Sequence, residues 1–90
     1  MAAVSTPIAV AQNTAAFAGA CSLRGFHISS TAGADIVLYD NASAASGLIL
    51  AQFTLAAKGD KQVDISDGAH CANGIYVSST AAVQGHVRIG

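Results

Sequence analysis

Two stretches of the chain carry the same order of apolar and polar positions. Gly25 to Asp40 reads GFHISSTAGADIVLYD, and Gly74 to Ile89 reads GIYVSSTAAVQGHVRI. In each, a run of β-branched, aromatic or long apolar residues leads into Ser-Ser-Thr-Ala, and a second such run follows. Stiff Val and Ile side chains and flat rings suit a pleated sheet, while the small residues between them let the chain reverse. Each stretch is therefore predicted to be a hairpin, with Phe26 and Ile28 in the first equivalent to Ile75 and Val77 in the second as core positions. The shared G-[FI]-[HY]-[IV]-S-S-T-A arises either from a duplicated unit or from two strands selecting the same residues in the same environment.

The remaining periodicity completes an all-β reading. In Asp35 to Asp40, Ile36 and Leu38 oppose Val37 and Tyr39, so this strand is apolar on both faces and belongs at the centre of a sheet or at a subunit contact. Asn41 to Gly47 is a loop of small and turn-forming residues. Leu48 to Ala56 is the most hydrophobic stretch, and its Ile49 and Phe53 favour a strand over a short helix. Lys58-Gly59-Asp60 and Asp67-Gly68 are turns, and between them Val63 and Ile65 alternate with Gln62, Asp64 and Ser66, a sheet with one wet face. His70 to Asn73 is a connection, and Asn73-Gly74 opens the next strand. Val83, Gly85, Val87 and Ile89 face away from Gln84, His86 and Arg88 in the last one. About seven short strands with turn signals every 8 to 12 residues or so predict a single antiparallel β-sandwich or jelly-roll-like domain. No connection is long enough for a crossover helix.

The first twenty residues break this rhythm. Met1 to Ala20 carries no charge, and its Ala-Gly-Ala resembles a cleavage site only superficially, because there is no positive n-region and polar residues and Pro7 interrupt any apolar core. Residues 1–20 are read as an extended arm and residues 21–90 as the β-sandwich domain. Pro7 cannot donate to a central ladder, which makes Ile8 to Gln12 an edge strand, and Phe17 is the anchor expected to dock the arm on the domain or on a neighbour.

Composition narrows the function classes. Of the 52% hydrophobic residues, 20 are Ala, so the core is thin and burial from a partner is expected. Arg24, Lys58, Lys61 and Arg88 are scattered against five Asp and no Glu, for a net charge of −1. Binding to a phosphate backbone needs clustered cations, so nucleic acid is not an expected partner. Neither is a membrane, since about 18 consecutive apolar residues would be required for a spanning helix.

Candidate chemistry is sparse. Cys21 and Cys71 match neither a CxxC pair nor a zinc ribbon, and free thiols, a mutual disulfide and metal ligation with His70 all remain open, the free thiols being the simplest. His27, His70 and His86 accompany no nucleophile signature, the Asp residues sit at strand ends and turns, and the glycines form no phosphate loop. His27 and His86 are read as solvated or cross-strand partners; if both lay at one interface, protonation near pH 6 would place like charge there. No catalytic residue, metal or cofactor is expected, and the protein is not expected to be an enzyme.

The run SLRGFHISST-AGADIVLYD-NASAASGLILAQFTLAAKGDKQVDIS-DG-NGIYVSST, with its IVLYD strand end, Ala-Ser-Gly loop and NGIYV before the closing strand, resembles small virion proteins of tailed bacteriophages over about Ser22 to Gly90. The resemblance implies a compact β-sandwich or jelly-roll-like subunit of the capsid decoration (cement) type. Such a subunit is made in the host cytoplasm and seated on the capsid surface of the virion as a homo-oligomer, often a trimer, bound to the major capsid protein. With it go the expected interface residues Ile8 and Phe17 of the arm and Val37 and Tyr39 of the doubly apolar strand. A tail or connector accessory subunit and a small carbohydrate-binding module are the alternatives. The module would need aromatic platforms, for which only Tyr39 and Tyr76 qualify.

Overall fold

A computed structural model of the protein describes residues 6–90, apart from the side chains at positions 66 and 67. Eight strands follow one another: β1 (Thr6–Ala9), β2 (Thr14–Ala18), β3 (Cys21–Ser30), β4 (Ala34–Asp40), β5 (Leu48–Leu55), β6 (Gly59–Cys71), β7 (Gly74–Ser79) and β8 (Gln84–Ile89). They build two antiparallel sheets, β1-β8-β3-β6 and β2-β7-β4-β5. Within them β1 pairs with β8, β2 with β7, β3 with β6 and β4 with β5. That is the pairing of one long double strand, rolled up until β3 meets β8 and β4 meets β7. The sandwich is a jelly roll.

Alternation places Phe26, Ile28, Ile75 and Val77 in the core, as predicted, but Leu23, which it sets on the face of Gly25 and His27, is also fully buried because the register of β3 shifts between Leu23 and Gly25. Ile28, Ile36, Leu38, Ile75, Val77 and Val87 are fully buried and Phe26 is 2% exposed. Phe26 of one sheet stacks on Phe53 of the other, ring centroids 5.3 Å apart and nearly parallel, which ties the two layers through their widest side chains.

The echoed stretches are not hairpins. β3 and β4 lie in different sheets, as do β7 and β8, so each Ser-Ser-Thr-Ala segment is an arch that steps from one layer to the other. Three or four extended residues reach about 10 Å, which is the usual spacing between packed sheets. Crossing buries the apolar faces of both strands against each other, whereas a hairpin would leave them side by side in one layer. β4 and β5, joined by the 41–47 loop, are the one pair of consecutive strands that share a ladder. The two arches lie together. Ser30 Oγ donates to the carbonyl of Ala82 at 2.9 Å, the Asp35 N–H donates to Thr80 Oγ1 at 2.9 Å, and the Thr80 N–H donates to the Asp35 carbonyl at 3.2 Å. The four strands they connect, β3, β8, β4 and β7, are the inner strands of the two sheets.

Two further expectations need correction. Residues 6–18 are not an extended arm: β1 and β2 are edge strands of the two sheets, and Val10 between them is 6% exposed in the core. Alanine gives little hydrophobic signal, but ladder pairing is made by main-chain groups and does not need one. Pro7 does sit on an edge, although the strand is Thr6–Ala9 rather than Ile8 to Gln12. The second correction concerns Asp67-Gly68, which does not turn the chain. β6 runs straight through it, and the β3–β6 register jumps from Leu23↔Ala69 to Gly25↔Asp64, leaving residues 65–68 as a bulge. Gly68 at φ 74° supplies the left-handed residue that such a bulge requires. With β1 and β2 inside the domain, the strands number eight rather than seven.

Candidate interaction surface

The two outer faces of the sandwich differ in chemistry. On β1-β8-β3-β6, successive rows across the register read Arg88, Gly25, Asp64 and then His86, His27, Gln62. Gly25, at φ 151°, leaves room for the Arg88 side chain to cross its strand; a Cβ there would collide with the guanidinium and with the Val63 carbonyl. Arg88 Nη2 thereby reaches the Asp64 carboxylate and, at 3.1 Å, the Val63 carbonyl. Its Nη1 donates to His86 Nε2 at 3.0 Å, since a guanidinium has no acceptor to offer. His27 Nε2 meets Asp60 Oδ2 at 2.9 Å, and its ring sits edge-on to His86 with centroids 6.3 Å apart. The centre of this face is thus cross-linked by its own polar side chains. Its two histidines are cross-strand neighbours, as the alternation suggested.

The outer face of β2-β7-β4-β5 holds no such network at its centre. One row across all four strands is Ala15, Tyr76, Tyr39 and Ile49, and the next is Ser78, Val37 and Gln52. Asp35 is the charge on this face, at the end of β4 beside the arches, and its carboxylate is taken up by the Thr54 hydroxyl at 2.7 Å. The β5 edge continues the apolar surface. A bulge in the β4–β5 register, from Leu38↔Ala51 to Tyr39↔Ile49, turns Leu50 toward the core and leaves Leu48 66% and Ile49 48% exposed. The other edges are guarded: β1 by Pro7, β6 by Asp60, Lys61 and Asp64, and β2 by its short length and a bulge between Ala15 and Phe17. β5 has eight residues with neither charge nor proline.

Of the residues expected at an interface, Val37 and Tyr39 lie together, half-buried, on this face. Ile8 does not join them. It pairs with Val87 in the opposite sheet and packs against the core. Phe17, on edge strand β2, is half-buried opposite fully buried Ile75. Leu48 and Ile49 join this surface without having been expected there, and Tyr76, named in the sequence only as a possible sugar platform, lies beside Tyr39. Tyr76 was readable as the outward residue between Ile75 and Val77, but its position beside Tyr39 depends on a register no local pattern states.

One buried carboxylate has a structural role. Asp40 Oδ1 accepts from the N–H groups of Asn73 at 2.8 Å and Gly74 at 3.3 Å, and Oδ2 from that of Ala72 at 3.1 Å, so one carboxylate closes the β6–β7 connection. The Asn73 N–H chiefly, helped by those of Ala72 and Gly74 and by nearby His70, holds this carboxyl below its ordinary range against the opposing effect of burial. A depression of about 250 Å³ beside the arches is lined by Ser29, Thr31, Lys58 and Gln84. Among the described residues no three His, Cys, Asp or Glu side chains gather to hold a metal ion, and no helix is long and apolar enough to cross a membrane.

No known protein family, curated protein or solved structure matches the chain.

Proposed function

We propose that this protein is a structural virion subunit of the capsid decoration type, which binds the major capsid protein and stabilises the head of a tailed phage. The observation that carries the reading is the difference between its two faces: Arg88, Asp64, His86, His27 and Asp60 are engaged with one another on β1-β8-β3-β6, while β2-β7-β4-β5 offers Tyr39, Tyr76, Val37 and the Leu48–Ile49 edge. A patch with little charge gains nothing from long-range steering, so its affinity comes from apolar contact and from repetition of the site over a lattice. The same surface supports a homo-oligomer, trimeric by preference, that shares the burial a 90-residue domain with 20 alanines lacks. In this reading the protein is made in the host cytoplasm, is carried on the capsid surface and binds neither nucleic acid nor membrane. The jelly roll itself does not choose, because viral capsid domains, lectins and cupins all use it.

Cryo-electron microscopy of the particle that carries this chain is the direct test. Density for the sandwich on the outer shell, with the Tyr39 and Tyr76 face turned to the coat, supports the reading; particles without the protein, or with it only in the tail, overturn it. A second reading, carbohydrate binding, is favoured by Tyr39 standing opposite Tyr76 on neighbouring strands, since adjacent outward rings are what sugar stacking uses. Binding to a glycan array that is lost in Tyr76→Ala would select it.

A further inference from the structure

Cys21 and Cys71 stand fifty residues apart in sequence and opposite one another in the structure. Cys21 opens β3, Cys71 closes β6, and the two are direct partners in the antiparallel register. Directly opposed residues in such a ladder have Cα atoms about 4.5–5.5 Å apart and side chains on the same face. A disulfide asks for a Cα separation of about 4.4–6.8 Å. Both side chains turn toward the core, Cys71 fully buried there and Cys21 half-buried at its margin, and both are free thiols. We infer that Cys21 and Cys71 form a cross-strand redox pair, which a small-molecule disulfide such as oxidised glutathione closes into an intramolecular bond.

The two thiols have different roles. Cys21 is the one that solvent reaches, so its thiolate attacks a sulfur of the oxidant, forming a mixed disulfide and expelling one glutathione thiolate. The Cys71 thiolate then attacks Cys21 Sγ and expels the second glutathione. Two electrons pass from the protein sulfurs to the oxidant, and the two thiol protons end on the two reduced glutathiones. In the reduced protein the Cys71 thiol points at the Ala69 carbonyl, 3.5 Å away. Burial, and after it the neighbouring Cys21, pushes its pKa up to about 11, and burial raises that of Cys21 as well. The pair is therefore slow to react at neutral pH and quicker in mild alkali.

Closure has a defined structural effect. The bulge at residues 65–68 separates the end of β6 from the rest of its ladder, and only Leu23↔Ala69, Ser22↔His70 and Cys21↔Cys71 pair beyond it. A bond at the last of these fixes the end of an edge strand to an inner strand. It also fixes the start of the connection that Asp40 holds through Ala72, Asn73 and Gly74. The pairing depends on the fold alone and stands whether or not the protein sits on a capsid.

The test treats the folded, full-length protein with oxidised glutathione in mild alkali, then unfolds it in the presence of iodoacetamide and measures its intact mass. The expected product is a monomer that has lost two hydrogens, takes up no alkyl label and regains both thiols with dithiothreitol. Its melting temperature exceeds that of the reduced form by on the order of 10 °C, as expected for a bond closing a loop of this length. Cys71→Ser accumulates the glutathione adduct on Cys21, and Cys21→Ser takes up far less because its remaining thiol is buried. Two alkylated thiols after treatment, a persistent adduct on the unmutated protein, or closure only between chains overturns the inference. So does a closed form that melts no higher than the reduced one.

Discussion

Ser30 Oγ donates to the carbonyl oxygen of Ala82 at 2.9 Å and accepts from the Gly33 N–H at 3.1 Å. One buried hydroxyl thus joins the two arches that the sequence echo marks. Its counterpart in the echo, Ser79, is also buried, but its Oγ has no partner among the described residues. The same letter therefore has opposite energetic sign in the two copies. Ser30→Ala strands a carbonyl and an N–H and is expected to cost about 1–3 kcal/mol. Ser79→Ala removes an unmet polar atom and is expected to leave stability unchanged or raise it. Urea denaturation of both variants checks the pair, and equal losses would show that the arches are not joined in this way.

Phe26→Ala is expected to remove a large share of the domain's stability. The ring is 2% exposed and stacked on Phe53 across the layers, and emptying such a site costs about 3–5 kcal/mol in a domain whose total is on the order of 5–15. Phe53→Ala, at a half-buried ring, is expected to cost less. Melting followed by circular dichroism ranks the two.

Asp40 sets an acid limit. Its carboxyl lies lower in the folded chain than in the unfolded one, chiefly through the Asn73 N–H, so the folded state binds fewer protons. The stability it contributes is complete above the unfolded value of about 3.9 and is lost as pH falls through the lower, folded value. Asp40→Asn removes this dependence. Melting temperatures measured from neutral to acid pH are expected to converge for the two proteins at the acid end and to separate, with Asp40 the more stable, above it.

Ile8→Asp tests the corrected N-terminus. The half-buried side chain packs on the core opposite Val87, so a charge there is expected to lower the melting temperature. Removal of β1 as a whole is expected to destabilise the sandwich by leaving β8 without one of its two ladders. An extended arm would tolerate both changes.

Ile49→Lys places a charge on the exposed β5 edge, where surface substitutions change stability by about 0.5 kcal/mol at most. Self-association measured by sedimentation, and attachment to coat shells if the capsid reading holds, are expected to fall while the melting temperature stays. Salt is expected to change wild-type attachment little.

What the sequence revealed and what it concealed divide along the distance over which the cause acts. Phe26 and Ile28, and Ile75 and Val77, were legible as core because a strand has period two and each pair lies within one strand. Alternation also separated Ile36 and Leu38 from Val37 and Tyr39, but with both faces apolar it did not say which pair lies inside. Whether Ser-Ser-Thr-Ala returns a strand beside its predecessor or lifts it to another layer was not legible, since both need the same small residues. The choice is made by which apolar faces meet, forty or more residues away. Gly68 gave a true signal of positive φ, yet a bulge and a turn use it alike. Leu48 and Ile49 misled in the other direction. The most apolar stretch of the chain lies on an edge, and its first two residues are outside because a bulge at Leu50 shifts the alternation, which no count of hydrophobic residues anticipates.

β8 occupies an inner position, between β1 and β3. A ribosome delivers Thr6–Ala9 before Gln84–Ile89, so the earlier strand waits for its ladder until β8 has been made. The first sheet cannot close while the chain is still being threaded out, and the nascent protein carries unpaired strand edges until residue 89 has emerged. Vectorial synthesis thus gives this sheet no head start, and its assembly is governed by pairings between distant parts of the chain.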